Sequence, residues 1–144
     1  MRKKVLIVED EIFVALEIEQ IVEDAGFQVG AIAADREGAL ASAEDCDIAL
    51  VDLNLRDGPT GPQIGMELAT RHGIRVIYVT ANPAQIGEAS VAALGVITKP
   101  FRPHSISATL QLAAAEQPDL IAAEIVGFTP FPPPGSWNGM ESRG

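Results

Sequence analysis

Three acidic side chains in a row, Glu9-Asp10-Glu11, follow the apolar run Val5-Leu6-Ile7-Val8. Another carboxylate, Asp52, follows Ile48-Ala49-Leu50-Val51. Thr80 follows Arg75–Val79, and Lys99 follows Gly95–Thr98. Short continuous apolar runs suit strands buried on both faces of a parallel sheet. Ligands meet such sheets at the carboxyl ends of the strands. Glu9, Asp10 and Asp52 should therefore converge with the Thr80 hydroxyl and the Lys99 ammonium on one edge. Like charges repel there: at about 4 Å and an effective dielectric near 20, each pair costs on the order of 4 kcal/mol. A divalent cation removes that cost, and oxygen donors without thiolate or imidazole favour Mg2+ or Mn2+ over zinc. A carboxylate can attack phosphorus and hold the phosphoryl group as an acyl phosphate, while the cation neutralises charge on the transferring oxygens. Asp52, which ends the central strand, is the natural nucleophile. Lys99 can pair with one phosphoryl oxygen, and Thr80 can donate a hydroxyl hydrogen bond to another.

The elements that position these residues alternate between strand and helix. Strands are expected at Val5–Val8, Gln28–Ala33, Ile48–Val51, Arg75–Val79 and Gly95–Thr98. The helices between and after them are expected over Glu11–Ala25, Arg36–Glu44, Gln63–His72, Pro83–Leu94 and Pro103–Glu116. Gly26 and Gly73 close helices, and Asp35 caps one. Asn54–Pro62 reads as a loop by its turn residues. Five βα units imply an α/β fold with a doubly wound, five-stranded parallel sheet, for which the order 2-1-3-4-5 is common. Pro100 directly follows Lys99 and fixes where the lysine points.

Four segments together resemble the receiver domain of two-component response regulators: Val5-Leu6-Ile7-Val8-Glu9-Asp10-Glu11, Leu50-Val51-Asp52-Leu53-Asn54-Leu55, Val79-Thr80-Ala81 and Thr98-Lys99-Pro100-Phe101. The match runs in order over about residues 1–116. The resemblance implies a flavodoxin-like sheet and a phosphoryl group accepted on Asp52 from a partner's phosphohistidine, carried by a histidine kinase or a histidine phosphotransfer protein. It implies Mg2+ held by Asp10, Asp52 and the backbone carbonyl of Asn54, and by Glu9 through water. It implies Thr80 and Lys99 on the phosphoryl oxygens, a small Ala81 that leaves phosphorus accessible, a cis Lys99–Pro100 bond, and Asn54 and Asn82 as residues that tune dephosphorylation. Two features depart from the family pattern. Val96 stands three residues before the lysine, where an aromatic ring is usual, so the output switch lacks one of its halves. Few charges lie on the fourth and fifth helices, with Glu88, Arg102 and His104 nearly alone, which argues against a charge-lattice dimer there.

Composition sets the bounds. The 144 residues, 47% hydrophobic and 21% charged, suit one globular domain with a tail. A single Cys excludes a disulfide framework, and one Cys with two His excludes the usual structural zinc sets. Cys46 is expected as a small buried hydrophobe, Tyr78 as core, His72 and His104 as surface residues, and Arg56 and Asp57 as solvated. A net charge of −10 argues against direct nucleic-acid binding. No apolar run reaches the ~18 residues of a membrane span, and Glu9 ends the first one too early for a signal peptide, so a cytoplasmic protein is expected.

The domain is expected to span residues 1–117, with a Pro-rich extension over 118–144. In that extension Asp119–Val126 has room for one or two helical turns, and Thr129–Gly135 reads as polyproline II or disorder. Phe128, Phe131 and Trp137 make the extension unusually aromatic and suit docking on the domain or a partner. The resulting expectation is a stand-alone, non-enzymatic receiver that signals through protein contacts. The alternatives are a receiver whose switch has decayed and an aspartate-nucleophile phosphatase. The phosphatase pattern needs an Asp two residues after the nucleophile, where this chain has Asn54. A flavin or nucleotide site would be repelled by Glu9-Asp10-Glu11.

Overall fold

The computed structural model describes residues 2–120 and 124–132. Its strands are β1 (Lys4–Val8), β2 (Gln28–Ala33), β3 (Ile48–Val51), β4 (Arg75–Thr80), β5 (Ala93–Thr98) and β6 (Phe128–Pro130). Its α-helices are α1 (Ile12–Asp24), α2 (Arg36–Ala41), α3 (Gly61–His72) and α4 (Pro103–Ala114). The sheet order is β2-β1-β3-β4-β5-β6. The first five strands are parallel in the expected order, and β6 is added antiparallel to β5.

Alternate strand residues feed two cores, as the two-residue side-chain period requires. Val5, Ile7, Ile48, Leu50, Ile77, Val79 and Ile97 pack with Ile18 and Val22 of α1 and with Ile106 and Leu110 of α4. Leu6, Val8, Ala49, Val51, Val76, Tyr78 and Val96 pack on the other face with Ala39 of α2 and with Ile64 and Leu68 of α3. Burial on both faces explains why β1 and β3 read as unbroken apolar runs. Asp35 caps α2 by accepting the Gly38 N–H at 2.9 Å, and Gly73 ends α3 in the left-handed region at φ 65°. No helix among the described residues is long and apolar enough to cross a membrane.

Several expectations need correction. The helix expected over Pro83–Leu94 is instead two 3-10 segments, Pro83–Gln85 and Gly87–Ala92. Gly87 sits between them at φ 55°, a left-handed residue that breaks an α-helical ladder. Only Ile86 and Ala89 bury in this stretch, too few to hold an amphipathic α-helix. β5 accordingly begins at Ala93 rather than Gly95. Gly61 and Pro62, expected in a loop, open α3, where proline is tolerated in the first turn. Cys46 is only half-buried, its Sγ donating to Ser42 O. Of the stretch Thr129–Gly135, expected as polyproline II or disorder, Thr129 and Pro130 instead belong to β6, and residues 133–135 lie outside the described residues. In the stretch 119–126, residues 121–123 lie outside the described residues and the others form no helix. Trp137 also lies outside them.

Candidate functional site

Each strand delivers its residue to the site by continuing its ladder one step past its end. Glu9 N–H donates to Ala33 O, Asp52 N–H to Val8 O and Lys99 N–H to Thr80 O, each at 2.9 Å. The backbones of Glu9, Asp52 and Lys99 are thus fixed by the sheet rather than by mobile loops, which is how a site keeps its geometry. The Lys99–Pro100 peptide bond is cis.

The side chains form a tight charged cluster. Lys99 Nζ donates to Glu9 Oε1 at 2.6 Å and to Asp52 Oδ2 at 2.9 Å. Glu9 is only 3% exposed, and its second oxygen accepts the Glu11 N–H at 3.1 Å. Asp52 Oδ1 accepts the N–H of Leu53 at 2.7 Å. Burial pushes the Glu9 carboxyl above its ordinary value, against the pull of Lys99 and of the Glu11 N–H. Burial also works against the Lys99 ammonium, but its hydrogen bonds to Glu9 and Asp52 outweigh that and hold it above the usual lysine range. Asp10 stands exposed beside them. One oxygen from each of Glu9, Asp10 and Asp52 lies within 4.8 Å of the others. Hard oxygen donors this close, with no sulfur or imidazole among them, fit a hard divalent cation.

The remaining candidate residues lie around this cluster. Thr80 is fully buried, and its hydroxyl oxygen accepts the Asn82 N–H at 3.0 Å. Ala81 is exposed and lines a cavity of about 480 Å³ with Val14, Glu17, Lys99, Pro100 and Phe101. The side chain of Asn54 is engaged away from its carbonyl, its Nδ2 donating to Gln85 Oε1 at 3.0 Å. Gln85 escaped the sequence reading because it carries no motif, and only the 3-10 turn after β4 brings it there. Arg56 and Asp57 are exposed but not simply solvated. Arg56 pairs with Asp35, and Asp57 accepts the Arg36 N–H at 3.0 Å and the Thr60 hydroxyl at 2.6 Å. These contacts tie the loop after Asp52 to the start of α2.

Val96 is buried beside Tyr78, its register partner on β4. The Tyr78 hydroxyl, also buried, shares its proton between Pro62 O and Ala89 O, each at 3.3 Å. On this side of the sheet the buried aromatic ring beside Val96 is Tyr78 of β4. His72 and His104 are exposed, as expected.

The chain matches the model of the response regulator receiver domain over residues 5–121. It is 33% identical over 118 residues to the phyllosphere-induced regulator PhyR of Methylorubrum extorquens, covering 78% of this chain and 44% of that relative. It is 28% identical to the regulatory protein VirG of Rhizobium rhizogenes, covering 82% of this chain and 51% of VirG. The chain thus spans about half the length of these curated relatives. Among solved structures, the receiver domain of Erythrobacter litoralis PhyR superposes with a TM-score of 0.73 at 26% identity, covering 81% of this chain and 95% of that one. The anti-anti-sigma factor PhyR of Bartonella quintana superposes at 0.68 with 31% identity, covering 78% and 47%.

Proposed function

The chain belongs to the response regulator receiver family of two-component systems, and on that premise we propose that Asp52 accepts a phosphoryl group from a phosphohistidine. The donor is a histidine kinase or a histidine phosphotransfer protein in the cytoplasm. The observation that carries this reading is the cluster itself: a strand-end carboxylate, Asp52, that shares an ammonium with Glu9 at 2.9 and 2.6 Å beside Asp10. Asp52 Oδ2 attacks phosphorus, the P–N bond to histidine breaks, and an acyl phosphate forms. Lys99 then turns from the carboxylates to a phosphoryl oxygen, and the Thr80 hydroxyl binds another. Ala81 leaves the approach open, and Asn54 and Asn82 place the water that later hydrolyses the acyl phosphate. Asp10, Asp52 and the Asn54 carbonyl, with Glu9 through water, would hold Mg2+, which would supply the charge neutralisation that lets an anionic phosphoryl group meet an anionic carboxylate.

The domain turns over no substrate of its own beyond this self-catalysed gain and loss of phosphate, so we read it as a switch rather than an enzyme. Ile12, Phe13 and Leu16 of α1 are exposed near Asp10, with Phe13 84% exposed. Together they offer the donor protein an apolar landing surface. The net charge of −10 and the likeness to an anti-anti-sigma factor both support a protein, not DNA, as the output partner.

The test is incubation with a small acyl-phosphate donor and Mg2+, read by intact mass on wild type and Asp52→Ala. A labile phosphoryl gain that needs Mg2+ and is absent from the variant is expected. A gain that persists in Asp52→Ala overturns the assignment. No gain, with Mg2+ binding demonstrated, favours a receiver whose switch has decayed, the second reading that Val96 motivates.

A further inference from the structure

Without β6, the edge of the sheet would be β5, a strand with Gly95, Val96 and Ile97 buried. A bare edge of that kind is a template for another strand. Residues 124–131 cover it. Gly95, Val96 and Ile97 pair with Pro130, Thr129 and Phe128. Thr98 N–H donates to Gly127 O at 3.1 Å, and Phe131 N–H donates to Leu94 O at 2.9 Å. The buried Ser105 hydroxyl of α4 donates to Val126 O.

The seat is shaped for its occupant. A Cβ on Gly95 would stand 2.5 and 2.6 Å from ring atoms of Phe128 and would strike the Thr129 carbonyl. These three nearest atoms all belong to the covering segment. Phe128 packs into the core on the α1–α4 face, and Phe131 packs against the core on the opposite face. The segment therefore grips both sides of the edge. It also closes the edge to others, since Phe128 N–H turns back to Ile125 O and Pro130 has none to offer.

One step of backbone joins this seat to the cluster. Thr98 carries the bond to Gly127, and the next residue is Lys99, whose ammonium lies between Glu9 and Asp52. We propose that the β5 edge is a strand-addition site, covered in cis by residues 124–131 and uncovered when Asp52 carries a phosphoryl group. The occupant it then takes is an extended partner segment built like its own cover, an aromatic residue followed two positions on by proline and then a second aromatic. This rests on the phosphoacceptor reading for its trigger, though not for the site. An acyl phosphate takes a carboxylate away from Lys99 and offers oxygens further out. The ammonium's outward turn pulls on a backbone still held by Lys99 N–H on Thr80 O, and the adjoining Thr98–Gly127 bond loosens.

The test uses the full chain and a fluorescent peptide of residues 124–132 as the probe, read by anisotropy. The tethered cover competes with the probe at an effective concentration in the millimolar range, so Phe128→Ala should bind the peptide at least about tenfold more tightly than wild type. Gly95→Val fills the slot and should bind none. Phosphorylated wild type, with its mass gain on Asp52 verified, should move at least about threefold toward Phe128→Ala. If circular dichroism shows Phe128→Ala unfolded, Phe131→Ala, which removes from the tethered cover a ring that the probe keeps, should tighten binding in its place. Equal affinity in wild type and the folded tail-loosened variant overturns the site. A verified mass gain with unchanged peptide binding overturns the coupling and leaves the phosphoacceptor reading intact. Absence of any mass gain overturns that reading and the trigger, while the variants still decide the site.

Discussion

Lys99→Met removes the ammonium and keeps most of the stem. Two charged hydrogen bonds disappear, at 2.6 Å to Glu9 and 2.9 Å to Asp52. Bonds to charged groups contribute about 1.5–3 kcal/mol each, and breaking a buried ion pair costs about 3–5 kcal/mol. The loss should fall below that range for two reasons. Asp52 is 12% exposed and can recruit water. Burial already raises the Glu9 pKa, so without Lys99 that carboxyl takes a proton instead of remaining charged. A carboxyl whose folded pKa is raised stabilises the fold below its unfolded pKa and loses that contribution as pH climbs through the folded value. Lys99 restrains the rise in wild type; the variant lets it grow. The variant should thus lose about 2–3 kcal/mol near pH 8 and under about 1 kcal/mol near pH 5. Urea unfolding at both pH values without divalent cation measures this. Added Mg2+ should then restore more stability to the variant than to wild type, because ammonium and cation compete for the same oxygens. Equal losses at the two pH values, or none near pH 8, would refute the reasoning.

Three further outcomes follow from the packing. A Cβ on Gly65 would stand 2.7 Å from two ring carbons of Tyr78 and nearer still to its hydroxyl. Gly65→Ala should cost about 1–3 kcal/mol by overpacking, and Tyr78→Phe about 1 kcal/mol for its hydrogen bond. Because Phe lacks the atom in closest conflict, the double variant should lose less than the sum; strict additivity in urea titrations would contradict this. Arg36 grips Glu67 at 2.9 and 2.7 Å and holds its carboxyl below the ordinary value. That stabilisation is present above the unfolded carboxylate pKa and is lost as pH falls through the lowered folded value. With Arg36 40% exposed, it should amount to only about 0.5–1 kcal/mol. Glu67→Gln should accordingly flatten the acid limb of the stability curve. Asp35→Ala should cost about 1 kcal/mol by uncapping α2, with Asp35→Asn recovering most of it in the same titration.

The cluster was legible because each of its residues follows a short buried strand, and the parallel sheet turns that sequence position into a shared edge. Asp52 after Val51 and Lys99 after Thr98 needed only the strand order to meet. What the sequence hid was governed by non-local competition. Pro83–Leu94 has the length of a helix, but Gly87 and the scarcity of buried positions let 3-10 turns win. The segment around Phe128 looks like a proline-rich coil when read locally. It becomes a strand because Gly95, 33 positions earlier by the numbering, leaves room for its ring. Gln85 meets Asn54 for the same kind of reason, through a turn geometry that no periodicity encodes.

The placement of β6 also has a consequence in time. Synthesis runs from the amino end, so β1 to β5 and α4 leave the ribosome before residues 128–130 exist outside it. Until β6 arrives, the nascent sheet carries an open, apolar margin, the kind of surface that holds chaperones or sticks to neighbouring nascent chains. Translation speed across residues 115–132 therefore bears on yield as well as on sequence, and slow codons placed there should lengthen the interval during which the margin is bare.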